Sequence, residues 1–177
     1  ILLMGVKSLS SEVEERTRLF FDAIEKHGIA KDSVTVLKGK FDYPSAKEQL
    51  KNYYQENNSF DFDTIVSLND DMAFACIDFC REIGLKVPED VIVSGFDDLP
   101  RSSFSNLPLT TISQRISEQG YQAAQCVIDQ INGIKVPLVQ KIQASVVLRD
   151  STERIKYDAS QSNQSELIFK DSSKYSV

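Results

Sequence analysis

Thr64-Ile65-Val66-Ser67-Leu68-Asn69-Asp70-Asp71-Met72-Ala73 is the stretch that decides the fold. Five strand-forming residues run into a polar corner. Beyond it, Met72, Cys76, Phe79 and Ile83 recur at helical spacing until Gly84 ends the pattern. Pro88 blocks renewal of that helix. Val91-Ile92-Val93-Ser94-Gly95-Phe96 then supplies a second strand, near-continuously apolar and predicted to be covered on both faces. Strand, helix and strand joined by loops of a few residues form a β-α-β unit, which implies parallel pairing.

The same alternation extends in both directions. Upstream, Ile1-Leu2-Leu3-Met4 is strand-like, and Ser11-Glu12-Val13-Glu14 reads as a capping box opening a helix that stops at His27-Gly28. Val34-Thr35-Val36-Leu37 is the next strand. Ser45-Ala46-Lys47-Glu48 opens a second capped helix, which ends at Asn57-Asn58. Downstream, a Ser-, Asn- and Pro-containing loop precedes Leu109-Thr110-Thr111-Ile112. A longer helix follows, with Ile116, Ala123, Val127 and Ile131 in phase and Gly133 as its stop. Residues 138–142 and 145–148 are β-rich. From Ser151 onward the composition becomes polar, as expected of a linker, an arm or a disordered end, with Leu167-Ile168-Phe169 as a local docking segment. The predicted fold is α/β, a parallel sheet flanked by helices on both faces. Ligands of such sheets sit beyond the carboxyl ends of the strands, here residues 5–11, 39–45, 69–71 and 95–98.

Composition narrows the function classes. With 177 residues, 41% hydrophobic and 26% charged, the chain suits one domain or slightly more, with a sizeable core. No apolar run approaches the roughly 20 residues of a membrane helix, so no membrane partner is expected. Residues 1–4 carry neither the basic flank nor the cleavage site of a signal peptide, and the composition points to the cytoplasm. A start inside a strand-like run leads to the expectation that the chain opens in mid-protein. The net charge of −6 repels phosphate backbones, so this segment is not expected to bind DNA by itself. Cys76 and Cys80 have a spacing that could ligate a metal. No His or further Cys joins them, and His27 is the sole histidine, so buried thiols are the better reading.

Glycine-rich nucleotide-binding signatures and a G-x-S-x-G elbow are absent from the sequence, and no cofactor is expected. The pairs Asp70-Asp71 and Asp97-Asp98 could hold Mg²⁺ or act as acid and base, or could serve helix starts. What remains is a polyol-binding set. Arg16 offers a planar donor fork, Asn69 donates and accepts, Asp97 accepts two hydroxyl bonds, and Phe41 presents a flat apolar face. Taken singly, Arg16 could be a surface helix charge, Asn69 and Asp97 caps, and Phe41 core. Their placement at one sheet edge favours a ligand.

Four segments together resemble the LacI/GalR regulators: Val66-Ser67-Leu68-Asn69-Asp70-Asp71-Met72-Ala73, the run from Gly84-Leu85-Lys86-Val87-Pro88 to Gly95-Phe96-Asp97-Asp98, Leu107-Pro108-Leu109-Thr110-Thr111-Ile112, and Val147-Leu148-Arg149-Asp150-Ser151-Thr152. The resemblance covers residues 1–152. It implies a lobe of a type I periplasmic-binding-protein fold, with the first lobe largely absent. By it, residues 1–113 form the C-terminal lobe, 114–143 a crossover segment belonging to the N-terminal lobe, 144–152 a return strand, and 153–177 a tail. It assigns ligand contacts to Arg16, Phe41, Asn69 and Asp97, and a further one to Gln114. The sequence departs from the family at Leu19, where Gly is usual, and at Lys40, where an acidic residue is common. The implied function is sensing of a small effector, a sugar or nucleobase-like metabolite, with DNA bound through a domain not in this chain. The implied assembly is a homodimer, using the helix of residues 73–79 and the loop 101–104. Alternatives are the sensor of a multidomain signalling protein with a kinase, cyclase or C-terminal DNA-binding output, and a metal-dependent enzyme using Asp70 and Asp97.

Overall fold

A computed structural model describes residues 1–7 and 10–154. Four parallel strands, β1 (Leu2–Val6), β2 (Thr35–Gly39), β3 (Thr64–Ser67) and β4 (Ile92–Ser94), pair in the order β2-β1-β3-β4. Leu3 stands opposite both Val36 and Val66, and Val66 opposite Ser94. The chain steps one way from β1 to β2 and the other way thereafter. Right-handed crossovers therefore place α1 (Ser11–Lys26) on one face and α2 (Tyr43–Asn57) and α3 (Asp70–Glu82) on the other. The reversal between β1 and β3 creates the switch-point crevice at the carboxyl edge.

The core follows from that layering. β1, with strands on both sides and helices above and below, is buried along its whole length. Leu50 of α2 and Met72 of α3 close over it from one side with no exposed surface. The two helices are tied by the Tyr43 hydroxyl donating to Asp78 at 3.0 Å and by Lys47 paired with Glu82 at 2.9 Å. Tyr53, Phe60, Phe62 and Phe79 stack edge-on beside this seam. Of these, the buried Phe60 and Phe79 each contribute about 1.5–3 kcal/mol through burial. From Met72 to Ile77 every residue of α3 is buried within the chain, so of the helix expected at a dimer surface Asp71, Asp78, Arg81 and Glu82 are what remains accessible.

Several sequence expectations shift. β4 is not covered on both faces. Val91, Val93 and Gly95 are buried, whereas Ile92, Ser94 and Phe96 are only half-buried, because α3 covers this end of the sheet from one face only. α1 begins at Ser11 with Ser10 as its cap residue, whose carbonyl takes the Val13 and Glu14 amides at 3.1 Å. α2 begins two residues before the expected box, capped by Asp42, whose carboxylate accepts from the Ser45 amide at 2.8 Å.

Past β4, a short helix α4 (Arg101–Phe104) leads to β5 (Thr111–Ser113). β5 is bridged to the main sheet at Ser94–Thr110 and Asp97–Ser113, and it pairs antiparallel with β6 (Ser145–Val147). Residues 138–142 form no strand. No strand lies beside them among the described residues, and Leu138 and Val139 are exposed. Between β5 and β6, α5 (Ile116–Ile131) buries none of its residues, and Ile116, Val127 and Ile131 face solvent. Ser151 does not begin a tail. It is wholly buried, donating to the Val93 carbonyl at 2.6 Å and accepting from the Thr110 amide at 2.9 Å. Leu167, Ile168 and Phe169 lie outside the described residues.

Candidate functional site

Arg16 lies in the second turn of α1, the helix that starts at the carboxyl edge. Its Nη1 donates to the Leu68 carbonyl at 3.0 Å and its Nη2 to the Glu12 carboxylate. The guanidinium carbon stands 3.7 Å from the centroid of the Phe96 ring. With 15% of its side chain exposed, Arg16 is no ordinary surface helix charge.

Asn69 is both a cap and a clasp. Its Oδ1 accepts from the Met72 amide at 3.0 Å, starting α3, and its Nδ2 donates to the Phe41 carbonyl at 2.8 Å. Phe41 has φ 66, in the left-handed region that a large side chain seldom adopts. It is held there from both sides, because Lys40 donates its amide to the Ser45 hydroxyl at 2.7 Å. The ring is 39% exposed. Phe41 is thus not core; the loop presents it at the sheet edge.

Asp97 has φ 119 and accepts from Gln114 Nε2 at 2.7 Å. Its own amide donates to the Ile112 carbonyl at 3.0 Å, fixing the bend against β5. Burial pushes its carboxyl above the ordinary value of 3.8. The Gln114 bond and the Arg16 charge pull it down, and Asp70 and Glu12 push it further up. The five sequence-selected residues therefore lie along one edge, two pairs of them hydrogen-bonded. Phe41 joins Asn69, Arg16 anchors on the preceding carbonyl at Leu68, and its charge acts on Asp97, which joins Gln114.

The aspartate pairs do not work as pairs. Asp98, at φ 56, turns to Arg149 at 2.7 Å. Asp71 is exposed. Asp70 is wholly buried, accepting from the Leu99 amide at 2.9 Å, the Ser102 hydroxyl at 2.7 Å and the Thr111 hydroxyl at 2.6 Å. Its oxygens are consumed in tying α3, α4 and β5 together, which removes it as a metal ligand or acid–base group. Cys76 and Cys80 are buried thiols.

The family described as "Periplasmic binding protein-like domain" matches the chain over residues 1–152. The chain belongs to this family. Among its relatives, the domain is 36% identical over 93 residues to the HTH-type transcriptional regulator MalR of Streptomyces coelicolor, covering 52% of this chain and 27% of MalR. It is 28% identical over 144 residues to the HTH-type transcriptional repressor CytR of Escherichia coli K12, covering 79% of this chain and 41% of CytR. A solved sugar-binding transcriptional regulator of the LacI family from Escherichia coli, complexed with phosphate, superposes with a TM-score of 0.70 at 26% identity, covering 85% of this chain and 53% of that one. The domain thus spans about half the length of that solved regulator and less of the curated relatives. Both curated relatives are HTH-type regulators, in line with the LacI/GalR resemblance of the sequence.

Sequence reading missed three features of the domain's edge. Phe96 is assigned to a covered strand, yet its ring faces Arg16. Glu12, read only as part of a capping box, pairs with Arg16; its i, i+4 spacing is the signal that could have found it. An open groove of about 420 Å³ lies between α1 and the uncovered face of β3 to β6. Leu19, Phe20, Val66, Phe96, Ile112 and Val146 line it, and Arg16 stands at its rim. Leu19, one of the two departures from the family pattern, contributes to this apolar wall.

Proposed function

We propose that this domain senses a small polyhydroxylated metabolite, a sugar in the first instance, as the effector-binding part of a bacterial LacI-type transcriptional regulator. The observation that carries the reading is the carboxyl edge itself, which gathers a preorganised guanidinium, a carboxylate held by an amide, and an exposed aromatic residue. Arg16 retains N–H donors beyond those bonded to Leu68 and Glu12. The second oxygen of Asp97 takes no bond from the described residues. Phe41 offers a face for a sugar ring, and Gln114 retains its side-chain carbonyl as an acceptor.

In this reading residues 1–113 are one lobe, 114–143 cross to a second and 144–152 return; the tail expected from residue 153 begins later, since Arg154 still donates to the Asp63, Pro88 and Asp90 carbonyls of the lobe. α5, none of whose residues is fully buried, supports this division, since a helix with an apolar face needs a partner surface. The effector sits between the lobes and alters their closure, which changes the affinity of a helix-turn-helix domain for DNA. The names of MalR and CytR support that output. The protein works in the cytoplasm as a homodimer, with Phe104, 72% exposed, at the partner surface.

The test is a thermal-shift and calorimetric screen of pentoses, hexoses, disaccharides, nucleosides and small acids on the protein carrying both lobes. A true effector at 100 times its Kd stabilises by about 2.7 kcal/mol, and Arg16→Ala or Asp97→Ala abolishes that gain. A screen with no stabilising compound, or a gain untouched by both substitutions, refutes the site.

A further inference from the structure

We infer that Phe96 is a positioning residue of the effector edge, its ring face setting the plane of the Arg16 guanidinium. The inference rests on Arg16 being an effector contact.

Three groups touch the guanidinium. Leu68 holds Nη1 at one edge, and Glu12 holds Nη2. Glu12 is 66% exposed, so its attraction is screened by water and salt and restrains little. A planar group with one firm in-plane anchor can still swing about that anchor. A flat surface 3.7 Å from its central carbon removes the swing, and the electron-rich face of the ring attracts the cation it restrains. Two N–H groups are spent on protein partners. The Nε–H and one hydrogen on each Nη take no partner among the described residues, and holding their plane fixed means that less side-chain freedom is lost on binding.

Phe96 is suited to this by what it does not do. It is half-buried and does not pack with the core cluster, which takes in even partly buried residues such as Val66 and Leu107. Its backbone neighbours are fixed: Gly95 donates to the Thr110 carbonyl at 2.9 Å and Asp97 to the Ile112 carbonyl at 3.0 Å. Gly95 also packs against Asp70 too closely to admit a side chain. The ring therefore stands on a rigid stretch of backbone, with Arg16 as its principal polar neighbour.

The experiment is NMR of the ¹⁵N,¹³C-labelled 177-residue chain without ligand, comparing wild type with Phe96→Leu, Phe96→Tyr and Phe96→Trp. Wild type is expected to show the Arg16 Nε–H shifted upfield by the ring current and its guanidinium rotation slowed. Phe96→Leu, which keeps the apolar volume and loses the π face, should release both signatures, while Phe96→Tyr and Phe96→Trp restore them at unchanged melting temperature. For any sugar whose binding Arg16→Ala abolishes, Phe96→Leu should weaken affinity by roughly 3- to 30-fold. The inference is overturned if the wild-type Arg16 signal is already unshifted and mobile, which is readable even where a variant fails to fold. It is also overturned if Phe96→Leu leaves the signal in place. Failure of the sugar screen, with the NMR signatures intact, instead removes the effector reading of Arg16.

Discussion

Asn69 and Phe41 are joined by a single 2.8 Å bond from the Asn69 side-chain nitrogen to the Phe41 carbonyl. That bond links the start of α3 to the loop that exposes an aromatic ring at φ 66. The same amide's oxygen caps the helix, so one side chain couples helix initiation to ring presentation. Asn69→Ala loses both bonds and should destabilise the domain by about 1–2 kcal/mol in urea titrations. Asn69→Asp keeps the cap but cannot donate to Phe41. Its effect on stability should be smaller, and its effect on effector affinity should match that of Asn69→Ala. Equal stability losses for the two variants would show that the Phe41 bond, not the cap, dominates.

Gly95 and Asp70 meet so closely that a Cβ on Gly95 would overlap the Asp70 carboxylate and crowd Leu109. Asp70 cannot withdraw, since it accepts from Leu99, Ser102 and Thr111 and lies wholly inside the fold. Gly95→Ala should therefore cost more than about 3 kcal/mol or prevent folding. Asp70→Asn, which turns one acceptor into a donor facing donors, should lose a similar amount. Circular-dichroism melts of soluble protein decide both. A near-native melting temperature for Asp70→Asn would show that the buried carboxylate is not the knot described above.

Local signals were legible in the sequence and long-range ones were not. Asn69 could be identified as a cap because its partner, Met72, is three residues away. The helix stops at Gly28, Gly84 and Gly133 were legible because their φ values of 75, 84 and 76 need glycine. Ser11 and Ser45 misled because a capping box fixes a helix start only when no neighbouring group competes. Ser10's carbonyl and Asp42's carboxylate compete successfully here. Asp70's role depends on Leu99, Ser102 and Thr111, 29 to 41 residues on, and no local pattern announces it. Phe96 continued an apolar run that looked doubly covered, although only one face of β4 has helices. Residues 138–142 had strand composition without a strand to pair with. The carboxyl-edge rule selected loops that do lie at that edge, because it depends only on strand direction and order.

The cysteines provide a chemical check on packing. Burial pushes Cys76 well above the ordinary thiol range and Cys80 up to about 12, with Lys47 opposing both. Only the thiolate attacks disulfide reagents. At pH 8 a colorimetric disulfide reagent should therefore label the half-buried Cys126 quickly, and Cys76 and Cys80 only at the rate of unfolding. Rapid labelling of three thiols per chain in native buffer would contradict the α2–α3 packing.

Asp97 carries the last prediction, and its sign follows from its surroundings. Its folded carboxyl titrates above 3.8, chiefly through burial, despite the Gln114 bond and the nearby Arg16 charge. Between its unfolded and folded values the native state holds more protons than the unfolded one, so its contribution falls as pH rises through that window. Above the window the ionised, half-buried carboxylate is a net penalty, softened by the solvent that still reaches it. Asp97→Asn keeps an oxygen for Gln114 and removes the charge. Its stability relative to wild type, from urea titrations between pH 3.5 and pH 7 (values chosen to span roughly the carboxyl range), should rise with pH and then level off. The same variant should bind effector more weakly, because a carboxylate accepts from two hydroxyls where an amide accepts through one oxygen. A substitution that stabilises the neutral-pH fold while weakening binding would mark Asp97 as a residue retained for the ligand. A pH-independent difference would mean that its carboxyl titrates normally and that the edge is more solvated than its geometry indicates.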